Sequence, residues 1–247
     1  MKTIYILWLR QLKRYFRSKS RIFGSLAQPL LFLLALGFGF GPVFQKAGEG
    51  NYLQFLVPGI IGMSIIFTSI FSGMEIIWDR QFGFLKETLV APVPRFNIMI
   101  GRTFGGATVA TMQGILVLIL SLFLGFRPVS FMLILPAILM MFLSALLFTA
   151  LGTAIASKLE DMQGFQMIIN FLVMPLFFLS GAIFPLSGSG ALAIVARFDP
   201  LSYSIDSLRV LLSNINNFGF GIDILVLSAV TLIFLGLGSY FFSKVQI

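Results

Sequence analysis

Apolar residues run along this chain in blocks that match membrane-crossing lengths. Crossing the hydrocarbon core takes about 20 mostly apolar residues, and six stretches meet that need: 22–43, 55–77, 103–126, 131–156, 164–183 and 224–242. Strands of a transmembrane barrel would instead show about ten residues of alternating polarity. Lipid offers the backbone no third way to satisfy its N–H and C=O groups. The pattern therefore predicts an all-α polytopic membrane protein with six transmembrane helices in one domain. No internal repeat or low-complexity tract divides it.

Three other segments break the apolar pattern. Ahead of the first block, Ile4, Trp8, Leu12, Tyr15 and Phe16 share one arc of a helix with about 3.6 residues per turn, and Lys2, Arg10, Lys13, Arg14 and Arg17 take the opposite arc. That predicts an amphipathic interfacial helix, with Trp8 and its apolar neighbours down in lipid and Arg10, Arg14 and Arg17 at anionic headgroups. Between the fifth and sixth blocks, 184–217 is only moderately apolar and carries FP, SGSG and DP breakers. It predicts an external helical hairpin that dips toward the bilayer. Pro185 is expected to end the fifth span, and Asp199 to cap a short helix over 201–212. Between the second and third blocks, Phe82, Leu85 and Leu89 recur on one helix face, with Lys86 and Glu87 on the other and Pro92 and Pro94 as terminators. Such a short helix either lies on the lipid surface or plugs a groove on a cytoplasmic partner.

Composition agrees with the pattern. The chain is 58% hydrophobic and only 11% charged, against roughly a quarter charged in soluble domains, and its mean hydropathy is +1.00. Its net charge of +8 has a side. Lys and Arg gather in residues 1–21, in the 80–102 stretch, at Lys158 and at Lys244, against Lys46, Arg127, Arg197 and Arg209 on the other side. This bias predicts both termini in the cytoplasm and makes nucleic-acid binding a poor account of the charge. The basic start, with no small-residue cleavage site after it, does not read as a signal peptide.

Little catalytic chemistry is on offer. With no Cys and no His, thiolate nucleophiles, Cys/His metal sites and the usual proton shuttle are excluded. There is no phosphate-cradling GxxxxGK[ST] and no GxSxG. A lipid-modifying enzyme would have to work with Asp79, Glu87, Glu160 and Asp161 on the cytoplasmic side, and a proton-coupled carrier would want a mid-bilayer carboxylate that is missing. Uncharged polar residues inside the spans, Gln28, Thr68, Ser69, Ser72, Gln113, Gln166 and Asn170, either bond helix to helix or line a path. Gly101/Gly105 and Gly37/Gly41 are GxxxG pairs that signal close helix contact.

The string WDRQFGFLKETLVAPVPR at 78–95 resembles the cytoplasmic-loop motif of ABC-2 type permeases, the membrane subunits of type-2 ABC exporters. That motif typically reads W-D-R-E-F-G-F-L-K-E, a hydrophobic residue, then V-A-P-V-S-R; Gln81 and Pro94 depart from it. AQPLLFLL at 27–34, YLQFLVPGI at 52–60 and FDPLSYSIDSLR at 198–209 resemble the same family in order, with Asp199 where Asn is usual. The likeness spans essentially the whole chain and is most like the daunorubicin-resistance branch.

The resemblance implies six spans in a bacterial or archaeal cytoplasmic membrane and a second permease copy, as a homodimer. It also implies two copies of a separate ATPase subunit that holds ATP and Mg, this chain binding no cofactor or metal. Phe82, Phe84, Leu85 and Leu89 would insert into an ATPase groove as a coupling helix. Asp79, Arg80, Lys86 and Glu87 would fix its register, with Gly83 and Pro92 shaping it. Gln28, Thr68, Ser72, Gln166 and Asn170 would flank the substrate path. Pro185, Pro200, Leu201, Tyr203, Asp206 and Arg209 would form an external gate. The implied activity is export of a drug-like amphiphile or lipid by alternating access. A lipid-linked polysaccharide cargo and a non-transporting membrane scaffold are the alternatives.

Overall fold

In a computed structural model of the chain, residues 2–46, 51–90, 92–186 and 190–244 are described, and the described part is helical with no strand. Helix α1 covers Lys2–Arg17 and α2 covers Lys19–Lys46. Then follow α3 (Tyr52–Ser72), α4 (Met74–Gln81), α5 (Phe84–Val90) and α6 (Arg95–Phe123). A 3₁₀ turn leads into α7 (Ile134–Lys158), followed by α8 (Met162–Leu179), α9 (Gly190–Ala196), α10 (Pro200–Ser213) and α11 (Phe220–Ser243). Among the described residues six helices are long and apolar enough to cross a membrane, α3 and α4 together making the second.

That second span is the hub. Of its most apolar window 78% is buried, against 17% for the first and the sixth. Helix α3 packs on α6, α7, α2 and α10. Its burial on all sides is why its sequence shows no polar face. At 30 residues it is about 45 Å long, well beyond the roughly 30 Å hydrocarbon core, so its last turns stand in the interface. The break at Gly73 comes where its backbone meets α7. A Cβ there would lie 2.5 Å from the Gly152 carbonyl oxygen, and a Cβ on Gly152 would lie 2.6 Å from that of Ile70.

Several boundaries differ from the expectation. The third span begins at Arg95 rather than Thr103, because Pro94 sits at its N-cap with φ near −55° and the polar turn after it stays helical above the hydrocarbon. The fifth span ends at Leu179, ahead of Pro185. Ser180 caps it and Gly181 turns the chain at φ +75°, a conformation glycine adopts without strain. The expected single helix after the second span is two. Helix α4 runs on to Gln81, the chain turns at Gly83 (φ +81°), and α5 starts at Phe84.

The N-terminal helix differs most. Rather than resting only on lipid, it lies along α6 with Leu7 and Tyr15 buried. Trp8 Nε1 donates to Thr108 Oγ1 at 3.0 Å and the Tyr15 hydroxyl to Gln113 Oε1 at 3.0 Å. Gly101 and Gly105 make the seat: a Cβ on the first would lie 3.0 Å from the Ile4 carbonyl, and on the second 2.6 Å from Gln11 Cγ. The apolar arc was readable in the sequence, but its glycine-lined counterpart a hundred residues away was not. Tyr5, Ile6 and Phe16 remain exposed.

Candidate functional site

The end of the second span is where charges meet. Asp79, in the last turn of α4, is buried and accepts from Arg102 Nη2 of α6 at 2.5 Å and from Arg10 Nη2 of α1 at 3.1 Å. One carboxylate thus ties three elements. One turn earlier, Glu75 is also buried and lies 3.6 Å from Arg14 Nη1. The two arginines of α1 lean on aromatics as well: the Arg14 guanidinium is 5.5 Å from the Trp78 ring centre and that of Arg10 is 5.8 Å from Phe84. The Asp79–Arg102 pair is buried on both sides, and such a pair tolerates loss of both partners far better than loss of one, which strands a charge at about 3–5 kcal/mol.

The far side of the segment grips the turn between the fourth and fifth spans. Arg80 approaches the Leu159 carbonyl at 3.4 Å and the Glu160 carboxylate at 3.8 Å, and Gln81 Nε2 donates to the Glu160 carbonyl at 3.4 Å. Trp78 Nε1 points at Met162 sulfur. The segment is therefore positioned by α1, α6 and the 159–162 turn together.

These contacts correct the expected roles. Asp79 does not face a partner; it is consumed inside the chain. Arg10 and Arg14, expected at headgroups, have carboxylate partners. Leu85, expected to insert into a partner's groove, is 1% exposed and belongs to this chain's own core, because α5 folds back on α4. Its neighbours Phe82 and Phe84 are the exposed ones, at 70% and 53%, with Val90 and part of Trp78 beside them. Glu87 and Pro92 are exposed as well, and Gly83 makes the turn. The side chains of Lys86 and Leu89 lie outside the described residues.

The expected path residues divide. Gln28 and Thr68 come together in a cleft of about 210 Å³ between α2 and α3, with Tyr15, Ser25 and Ser64. Behind it, buried Gln113 accepts from Tyr15 and Ser25, and its Nε2 has no partner among the described residues. Ser72 is elsewhere, bonded to the Ser69 carbonyl at 2.6 Å and packed on Gly106 of α6. Gln166 and Asn170 lie on the exposed side of α8, one turn apart.

The expected gate residues form a buried knot at one end of the bundle. Arg209 of α10 is 1% exposed, lies over the Phe55 ring at 3.7 Å, and donates to the Phe55, Gly181 and Ala182 carbonyls at 3.3, 2.8 and 3.1 Å. It pins the ends of α3 and α8 to α10, and burial pulls its guanidinium down to about 9. Asp206 accepts from the Asn217 amide and side chain and from the Phe218 amide. Tyr203 donates to the Arg197 carbonyl at 2.7 Å. Leu201 is in the core, Pro200 opens the helix and Asp199 caps it through the Leu201 N–H at 2.8 Å. Burial pushes the Asp199 carboxyl up to about 7, against the pull of that N–H. Pro185 is half-buried; Ser187, Gly188 and Ser189 of the SGSG stretch lie outside the described residues.

Arg102 and Glu75 belong to this charge cluster and are the residues that sequence reasoning underused. A charged residue inside a span faces the bundle and needs a partner, and among the described residues the acids acting on Arg102 are Asp79 and Glu75 of the neighbouring span.

The chain matches the ABC-2 type transporter family over residues 2–213. It is 31% identical over 222 residues to the transport permease named ycf38 of Cyanophora paradoxa, covering 87% of this chain and 75% of that one. The ycf38 of Porphyra purpurea is 30% identical over 218 residues, with the same coverage. Nodulation protein J of Rhizobium leguminosarum bv. trifolii is 29% identical over 212 residues, covering 83% of this chain and 76% of that protein.

Proposed function

The chain belongs to the ABC-2 type transporter family, and from that premise we propose that it is the permease subunit of an ATP-driven exporter, docked on a separate ATPase through the 78–95 segment. The observation that carries this reading is the pairing of an exposed aromatic edge with a buried ionic anchor. Phe82 and Phe84 stand out from α4 and α5, while Asp79 fastens the same segment to α1 and α6. Exposed aromatic side chains beside rigidly held backbone are what a protein groove takes up. A push on this edge reaches three helices at once, because Asp79 joins them.

ATP and Mg sit on the ATPase, and two copies of each subunit make the transporter. The second permease copy covers α8. Gln166 and Asn170 sit among exposed Met167, Ile168, Phe171 and Met174, and two amides on such a face are costly against acyl chains. Both termini are cytoplasmic, the membrane is a bacterial or archaeal inner membrane, and α9 and α10 re-enter it from outside as the gate. ATP-driven closure biases a two-state equilibrium between inward- and outward-facing forms. The cargo is an amphipathic or lipidic molecule whose polar end is uncharged, matching the Gln28, Ser64 and Thr68 cleft.

Reconstitution of the chain with its ATPase into vesicles tests this. ATP-dependent movement of an amphiphile or lipid between leaflets is expected. Absence of any movement, together with ATP turnover indifferent to every amphiphile offered, would overturn the exporter reading.

A further inference from the structure

Helix α1 joins the first span at Ser18, and an open groove of about 980 Å³ lies along that joint. Five cations line it: Arg10, Lys13, Arg14, Arg17 and Lys19. No acid is among its described lining residues. Arg10 and Arg14 are oriented by Asp79 and Glu75. Lys13, Arg17 and Lys19 have no hydrogen-bond or ion-pair partner among the described residues, so their charge is uncompensated by the protein. Ser18 and Ser20 add hydroxyl donors on the same wall, and Ile6 and Leu9 close it with apolar surface.

Location selects the ligand. The first span starts at Ile22, so the groove lies where hydrocarbon gives way to headgroups. Ile6, exposed at 61%, and Leu9 give its edge apolar surface that suits an acyl chain, and Phe23 is exposed at 73% at the start of the first span. A groove with a cationic floor and apolar rim at this depth fits one molecule with an anionic phosphate head and an acyl tail. Phosphate oxygens take several charge-assisted hydrogen bonds from Lys and Arg at once.

We propose that this groove is a binding site for an anionic phospholipid of the surrounding leaflet, held by Lys13, Arg17 and Lys19 with Ser18 and Ser20. The bound lipid fills the angle between α1 and α2. It thereby sets the pose of α1, whose Arg10 and Arg14 hold the 75–79 turn. The groove shares no described lining residue with the Gln28–Thr68 cleft and does not depend on the exporter reading.

The test is native mass spectrometry of the purified transporter taken from nanodiscs of equimolar phosphatidylglycerol and phosphatidylcholine. Wild type is expected to retain phosphatidylglycerol preferentially. Each cation near an anionic lipid surface contributes roughly five-fold to partitioning, so Lys13→Gln/Arg17→Gln/Lys19→Gln is expected to lose the preference by up to about a hundredfold. A Lys46→Gln/Arg127→Gln control, at the opposite ends of the spans, keeps it. The triple variant leaves both α1 ion pairs intact and is expected to melt with wild type; if it misfolds, Lys13→Gln/Lys19→Gln serves instead. Equal retention of the two lipids by wild type overturns the proposal, as does an unchanged preference in the variant. Millimolar inorganic phosphate is expected to leave the bound lipid in place; its displacement of the lipid would assign the groove to a free phosphate compound instead.

Discussion

Asp79→Ala is the most informative single change. It removes the carboxylate that Arg102 and Arg10 share, and the two losses are unequal. The Arg102 side chain is 5% exposed at 2.5 Å, whereas that of Arg10 is 42% exposed at 3.1 Å. A half-exposed pair is worth at most about 1 kcal/mol. Stranding the buried guanidinium costs about 3–5 kcal/mol, so nearly all the effect comes through Arg102. At about 2–4 °C per kcal/mol for a chain of this size, Asp79→Ala is expected to lower the melting temperature by roughly 6–20 °C. Arg10→Gln is expected to lower it by no more than about 4 °C. Arg102→Met leaves the acid to Arg10 alone and is expected to lower the melting temperature by less than Asp79→Ala. The double variant strands no buried charge, so it melts above Asp79→Ala. Differential scanning fluorimetry in detergent reads this directly, since Trp78 lies beside the site. Asp79→Ala melting within about 2 °C of wild type would refute the reasoning, as would a double variant at the sum of the single losses.

Other predictions follow from local geometry. Gly152→Val puts side chain into the backbone of α3, where even a Cβ comes within 2.6 Å of the Ile70 carbonyl, and is expected to cut the yield of folded protein severely. Fluorescence-detected size-exclusion chromatography reads that yield; by the same assay Gly41→Ala, which meets nothing within 4 Å, is expected to be neutral or slightly stabilising. Asp199, with its folded value raised to about 7 from 3.8, binds more protons folded than unfolded between those values. Stability from this group is therefore full below about pH 4 and is lost as pH rises through 7. Asp199→Asn keeps a capping oxygen, removes that slope, and is expected to melt above wild type at pH 8 but not at pH 4. Gln28→Leu leaves the fold unchanged and is expected to weaken stimulation of ATP turnover by amphiphiles with uncharged polar heads, by about threefold to tenfold for one lost hydrogen bond.

The six spans were legible because lipid imposes one severe rule, a run of apolar residues, that composition alone can obey or break. Their ends were less legible. Arg95 to Arg102 reads as loop by polarity, yet a helix that outruns the hydrocarbon stays helical, and only Pro94 marked the start. The site was legible as a segment and illegible in its facing. Phe82, Leu85 and Leu89 recur at the spacing of one apolar helix face, but periodicity does not say what covers such positions; Gly83 ends the helix after exposed Phe82, and this chain's own core takes Leu85. Asp79 and Arg10 read as surface charges because their pairing spans 69 residues. Gly101 and Gly105 gave the one long-range hint, a close helix contact, without naming α1 as the partner.

The central claim, that the exposed edge of the 78–95 segment docks on a separate ATPase, is tested most directly by co-purification with that ATPase and by its ATP turnover. Wild type is compared with Phe82→Asp/Phe84→Asp, two exposed positions whose change leaves the core alone; Leu85→Asp would only unfold the segment. The account predicts a double variant that melts like wild type but loses the ATPase, or keeps it with turnover no longer responsive to transported amphiphiles. A double variant that binds and turns over like wild type would contradict it, leaving the segment a surface turn and the docking site elsewhere.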